Sequence, residues 1–153
     1  MTDAVELARD VLAARERLVE FVATCSDEQW GQSPLADDDP RTVGVIVDHV
    51  ADAYEYLGSF VTRLTFHEQV DVSPQIVDVL NARHASAVAS STRESALEHL
   101  VRSGDAFVAV IEPLTAEQLH GGHSLTIARF AEIAARHADS HRVELETALG
   151  VTP

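Results

Sequence analysis

Lysine is missing altogether, and all 11 basic residues are arginine. The chain therefore has no residue for a Schiff base, a phosphate-loop lysine or a lysine general base. Positive charge is scarce as well: 25 acidic residues against those 11 give a net charge of −14. A polyphosphate backbone or an anionic membrane would be repelled, so neither is an expected partner. There is one cysteine, Cys25, which rules out an internal disulfide and a thiolate-rich metal site. At the end of the first apolar helix it reads as a small packing residue rather than a nucleophile. No run of about 18 apolar residues could span a bilayer. The opening MTDAVELARD is acidic and amphipathic, unlike the basic start and apolar run of a signal peptide. A soluble, cytoplasmic protein is expected.

What is present favours helices. The composition is 46% hydrophobic and rich in alanine, leucine, valine and glutamate, with few glycines and prolines, and no alternating strand pattern occurs. At 153 residues one domain, 1–153, could bury about 70% of its unfolded surface. Val5, Leu7, Ala8, Val11, Leu12, Arg15, Leu18, Val19 and Val22 recur with helical spacing and predict a first helix over residues 3–24. Ser26 and Gln29 form a capping-box pattern that starts a short turn carrying Trp30. Residues 31–40 hold two prolines and the run Asp37, Asp38, Asp39, and read as a solvated loop. Calcium loops place their oxygens at alternate positions around a glycine, which this run does not.

A second helix is predicted over 42–67, with Thr42 as N-cap and Ile46, His49, Ala53, Leu57, Phe60 and Leu64 facing inward. Gly58 within it points to a close helix approach or a bend, since glycine there costs about 1 kcal/mol relative to alanine. Ser73-Pro74 starts a helix over 74–88. Ser91 with Glu94 reads as a capping box for a helix over 92–112 that buries Leu97, Leu100, Val101, Phe107, Val108 and Ile111. Thr115 with Gln118 caps one more turn, and the glycine loop 119–124 leads into the last helix, 127–149. Four helices of roughly 20 residues and 30 Å predict an all-α fold, a four-helix bundle with short helices in its connections.

The last helix carries the chemistry. Its inward positions run Ile127, Phe130, Ala134, His137, His141, Leu145, Ala148, so two imidazoles occupy positions where leucine is usual. His137 and His141 are one turn apart on one face, a spacing that lets a single helix offer two ligands to one ion. A lone histidine on an apolar stripe is more often a satisfied core residue. Three buried imidazoles without partners would each cost about 1 to 3 kcal/mol, and one divalent ion would accept a lone pair from each. His49 is the matching inward histidine of the second helix. His84 is a further candidate, read as a satisfied core residue, while His99 falls on a polar face. His67, His120 and His123 fall at helix ends or in loops.

The order and spacing of several short segments resemble the DinB/YfiT-like superfamily of helical-bundle metalloenzymes over most of the chain. The carriers are Trp30 with Ser33-Pro34, TVGVIVDHV at 42–50, LNARHA at 80–85, EPLTAEQL at 112–119 and RHADSHRVEL at 136–145. The resemblance implies a metal triad of one histidine from the second helix and two from the last, which falls on His49, His137 and His141. Relatives akin to mycothiol-dependent maleylpyruvate isomerase tend to carry glutamate where this chain has His137, so that isomerase activity is not carried over. Some relatives use a low-molecular-weight thiol such as mycothiol or bacillithiol in transferase or isomerase reactions. The resemblance thus implies one divalent ion, zinc by default with nickel or iron as alternatives, and a small-molecule substrate or thiol as partner. A non-catalytic metal- or ligand-binding module is the rival reading, and a homodimer is an assembly it allows. Asp52, Tyr56 and Asp139 lie near the three histidines along their helices and could orient an imidazole or move a proton. The loops 31–41 and 119–124 are expected to shape the mouth of the site.

Overall fold

The computed structural model describes residues 2–87, 92–122 and 125–151. Among these there are seven helices and no strand: α1 (Ala4–Thr24), α2 (Asp27–Trp30), α3 (Val43–Thr65), α4 (Pro74–Ala87), α5 (Arg93–Ile111), α6 (Ala116–His120) and α7 (Ile127–Ala148). The long helices α1, α3, α5 and α7 form a four-helix bundle in which α1 packs on α5 and α7, and α3 packs on the same two.

Side-chain pairs give the directions. Asp27, just beyond α1, meets Arg93 at the start of α5, so these two helices run antiparallel. His120, before α7, donates from Nε2 to the Thr2 carbonyl before α1, and Arg17 meets Asp139 further along, so α1 and α7 are parallel. Asp48 meets His99 near the starts of α3 and α5, and Tyr54 meets Phe107 further on, so these are parallel too. The order is up, down, down, up. Two consecutive parallel helices need a return crossover, and α4 supplies it: it packs along α3, and its His84 comes back to Asp48 near the start of α3.

Helix ends follow their local chemistry. The side chains of Asp3, Ser26, Thr42, Thr115 and Thr126 each accept a backbone N–H in the first turn, with full capping boxes at Ser26/Gln29 and Thr115/Gln118. One expected cap shifts. Helix α5 starts at Arg93 with Thr92 accepting from the Ser95 N–H, which puts Glu94 one position short of the capping-box site. Ser91 lies outside the described residues, as do Val88, His123 and Ser124.

The core is aliphatic and aromatic, built around Val11, Leu18, Ile46, Tyr54, Leu100, Phe107, Ile111, Ile127 and Leu145. Val5 and Val101 are 67% and 37% exposed, and Ala148 also faces solvent, contrary to the inward assignment of all three. Each sits at the margin of its apolar stripe or in a terminal turn, where periodicity alone cannot say where packing stops. Arg15 does go inward and is 7% exposed. It donates to the Val101 carbonyl at 3.0 Å and pairs with Asp105 and Glu16. The backbone of α5 comes so close here that a Cβ on Gly104 would lie 2.7 Å from Arg15 Cδ.

Gly58 is different. A Cβ there would meet Phe107 Cδ2 at 3.5 Å, an ordinary contact, so no close approach demands this glycine. Gly58→Ala is expected to stabilise the protein by about 0.5 to 1 kcal/mol through helix propensity. Gly104→Ala is expected to destabilise it by about 1 to 3 kcal/mol through overpacking. Urea denaturation of the two variants checks both, and equal effects would contradict the packing described.

Candidate metal centre

His49 lies in the second turn of α3, His137 and His141 in the middle and later part of α7. Because α3 and α7 run antiparallel, the start of one faces the far half of the other. His49 Nε2 comes to 3.1 Å from His137 Nε2, across 88 residues of sequence, and His141 Nε2 is likewise 3.1 Å from His137 Nε2. Each of the three offers one ring nitrogen, and these atoms lie within 4.8 Å of one another, a grouping that could hold a metal ion. The ring centroids are 4.6, 4.8 and 5.3 Å apart. His49 is buried, while His137 and His141 are half-buried. The two α7 imidazoles border the core instead of filling it; Ala138 and Leu145 take the fully buried positions.

The donor set fits a cation. His141 Nδ1 is 3.0 Å from Glu144 Oε2. A carboxylate only accepts, so the His141 proton sits on Nδ1 and its Nε2 presents a lone pair to the cluster. Burial, then the neighbouring imidazoles and Arg41, push His49 down to about 3. Burial and His141 push His137 down to about 4, and burial also lowers His141 despite Glu144. All three are therefore neutral at pH 7, the ligand form. A single N–H on His137 Nε2 would have to be shared between two acceptors, whereas one ion accepts from all three nitrogens. Tetrahedral zinc with imidazole nitrogens at about 2.05 Å has those nitrogens roughly 3.3 Å apart, close to the two 3.1 Å spacings to His137, with all three nitrogens within 4.8 Å of one another.

Beside the triad runs a second chain of histidines and carboxylates. Asp48, next in sequence to His49, is 3% exposed and accepts from His84 Nε2 at 2.7 Å and His99 Nδ1 at 2.8 Å. His99 Nε2 reaches Glu55 Oε1 at 2.7 Å. His84 is thus a buried histidine with its hydrogen bond made, and its Nε2 is committed to Asp48. His99 is not on a free polar face: it lies half-buried between α3 and α5, because the partner that draws it in is 51 residues away. Asp48 feels burial most, which raises its pKa, but the two imidazole hydrogen bonds together outweigh it and hold the carboxyl at about 2. The hydrogen bond to Asp48 and the one to Glu55 raise His99 to about 9 against the cost of burial.

Among the described residues, none of Asp52, Tyr56 and Asp139 bonds an imidazole. Asp139 instead ties α1 to α7 through Arg17, at 2.9 and 2.6 Å, and also meets Arg142. The residues that do bond imidazoles, Asp48, Glu55 and Glu144, were not singled out from sequence. Only Glu144 had a local signal, three residues after His141 on the same face. The loop before α3 does reach the site: Arg41, held by Asp39 at 2.9 and 2.7 Å, exerts its charge on all three histidines. The loop 119–122 does not. It precedes α7, and roughly 15 Å of helix separates Ile127, the first residue of α7, from His137.

Residues 11–145 match the model of the DinB superfamily. The chain belongs to that superfamily. No curated protein matches it. Three solved structures share the fold at low identity. A sibling lethal factor precursor, DfsB, is 14% identical with a TM-score of 0.77, over 96% of this chain and 95% of its own. An uncharacterised protein of Escherichia coli UTI89 is 13% identical with a TM-score of 0.75, over 100% and 98%. A Streptococcus pneumoniae protein is 12% identical with a TM-score of 0.78, over 100% and 93%. At such identities the likeness is one of fold. No helix among the described residues is long and apolar enough to cross a membrane.

The Asp48 network makes stability depend on pH in a specific window. His99 has a folded pKa of about 9 against about 6.5 unfolded. Its contribution, on the order of 2 kcal/mol, is complete below the unfolded value and lost as pH rises through 9. With no lysine in the chain, the other groups that contribute there are Cys25 and the two tyrosines, all raised by burial, whose effect has the same sign and sets in as their unfolded forms ionise. Denaturation free energies measured from pH 7 to 10 are expected to fall more steeply in the wild type than in His99→Gln. A wild-type curve no steeper than the variant's would contradict the network.

Proposed function

We propose that His49, His137 and His141 bind one divalent metal ion and that the protein is a metal-dependent enzyme activating a low-molecular-weight thiol or a water, in the manner of an S-transferase. The observation that carries this reading is the convergence of three imidazole nitrogens with no fourth protein ligand among the described residues. His84, the one nearby candidate for that place, has its ring 5.8 Å from that of His49 and its Nε2 on Asp48. Three protein ligands leave a position for substrate, the arrangement of catalytic sites, whereas four close a structural one. This supports an enzyme over a module that only holds the ion.

A divalent ion bound there supplies Lewis acidity that lowers the pKa of a thiol or water. The chain's own groups do the rest. Neutral imidazoles leave the ion its full charge, Glu144 fixes the tautomer of His141, and the two antiparallel helices fix the spacing. Imidazole ligands suit zinc, nickel and iron(II), with zinc the first choice for three nitrogens. Cys25 is buried, and burial raises its thiol pKa, so the nucleophilic sulfur would come from a small thiol such as mycothiol or bacillithiol rather than from the chain.

Metal content of untagged protein, measured by inductively coupled plasma mass spectrometry, is expected to be about one equivalent and to drop sharply in His141→Ala. Glu144→Gln should keep the site but weaken metal binding roughly tenfold, as expected for loss of an imidazole-orienting carboxylate. Absence of metal as purified, together with no uptake of zinc, nickel or iron(II) at neutral pH, would sink the proposal. A loaded site that supports no thiol transfer to any electrophile would leave the binding module.

A further inference from the structure

The end of the bundle away from the triad holds two adjoining cavities, roughly 20 Å along α3 from His49. One, of about 360 Å³, is lined by Leu64, Thr65, His67, Glu117, Gly122 and Ile127 among others. The second, of about 480 Å³, adds Val70, Val72, Leu125 and Phe130 and shares Leu64, His67 and Gly122 with the first. Each is within the size range of small-ligand sites; Leu64 and Ile127 are the apolar side chains of the first, and Leu64, Val70, Val72, Leu125 and Phe130 those of the second. The metal reading makes no use of them.

Two features of the rim point to a ligand class. The first is charge. Arg63, at the end of α3 beside Leu64, donates to Glu68 at 2.9 Å and to the Gln69 carbonyl at 2.9 Å. Glu117 has no partner for its carboxylate among the described residues. With a net charge of −14 on the whole chain, this rim attracts cations and repels anions. The second is His67 itself, the only non-glycine residue with positive φ among those described, at 58°. It follows the end of α3, where the Glu68 N–H bonds back to the Arg63 carbonyl. Glycine or asparagine ordinarily fills such a position, because a Cβ is disfavoured there. The fold tolerates that conformation and thereby puts an imidazole where the two cavities meet, and strain of this kind gathers at binding sites.

We infer that this end of the bundle is a second binding site, independent of the histidine triad, for a small organic cation with a short apolar chain, of the primary alkylamine class. The ammonium group would donate to the Glu117 carboxylate and the His67 imidazole. The alkyl chain would lie against Leu64, Ile127 and Phe130, all 6% exposed or less.

The test is titration of n-hexylamine into the purified, isotope-labelled full chain at neutral pH, followed by amide NMR, with hexanoate and hexanol as matched probes. Saturable shifts confined to residues 64–70, 117–122 and 127–130, with no response to hexanoate and weaker binding of hexanol, are the expected result. Glu117→Gln should weaken hexylamine about threefold to fivefold, the worth of one partly exposed ion pair, and leave hexanol unchanged. His67→Gly, which suits the backbone at that position, should weaken it too without unfolding the chain. Absence of saturation at tens of millimolar, equal affinity for hexanol, or unchanged affinity in Glu117→Gln would overturn the inference. So would shifts centred on His137 and His141, which would place the amine at the metal centre. Because no metal is needed for these shifts, failure of the metal proposal would leave this result standing.

Discussion

A carboxylate in the middle of an apolar helix face is the constraint around which this bundle is arranged. Asp48 sits in the run VGVIVDHVADA on the most buried helix of the fold, and an unpaired charge there would cost several kcal/mol. Two imidazole donors relieve that cost, His84 from the crossover helix α4 and His99 from α5. Each pins its helix to α3 at one height. The connection is over-determined at this level in a way that aliphatic packing alone would not achieve, since a hydrogen bond fixes register and an apolar contact can slide. With α4 and α5 gathered on one side of α3, the other side is left to α7, and His49 turns toward His137 and His141.

The consequence is two histidine clusters of opposite character separated by one residue of backbone. Around Asp48 the imidazoles serve a negative charge, and His99 is held in its protonated form. Around His49 the only bonded carboxylate among the described residues is Glu144, on the outer nitrogen of His141. Burial and mutual proximity lower the pKa values of His49 and His137, and the three ring nitrogens form a grouping that could hold a cation. Identical side chains thus do opposite electrostatic work, distinguished only by what the neighbouring helix presents. The all-arginine basic complement belongs to the same picture. Arg15, Arg17, Arg41 and Arg142 each engage carboxylates between or within elements, using the several donors of the guanidinium where a lysine would offer a point charge.

The two ends of the bundle also differ. At the triad end the loop before α3 is closely tied down: the Val43 N–H bonds the Gln32 carbonyl, Ser33 bonds the Pro40 carbonyl, and Arg41 is clasped by Asp39. At the other end the residues after α3, with Gly122 and Leu125, border open volume, and Phe66 nearby is 74% exposed. Ordered geometry suits a cluster that keeps three ring nitrogens within 4.8 Å of one another. Open volume suits one that accepts a ligand by shape and charge.

Much of this was legible in the residues themselves. Helical periodicity, the capping residues Ser26, Thr42 and Thr115, and the one-turn spacing of His137 and His141 are local properties, decided by backbone geometry within a few residues, and they sufficed for the all-α bundle and for two of the three clustered imidazoles. The inward stripe of the second helix offered His49 as the candidate third, and the resemblance pointed to the same residue. Tertiary structure alone decided the rest. That His49 meets His137 depends on α3 and α7 being antiparallel neighbours, which follows from α4 carrying the chain back so that α5 can run beside α3. That His99 turns inward depends on Asp48, and that the 119–122 loop lies far from the triad depends on the length of α7. Periodicity tells which way a side chain points on its own helix; what it points at is set by packing between segments far apart in sequence.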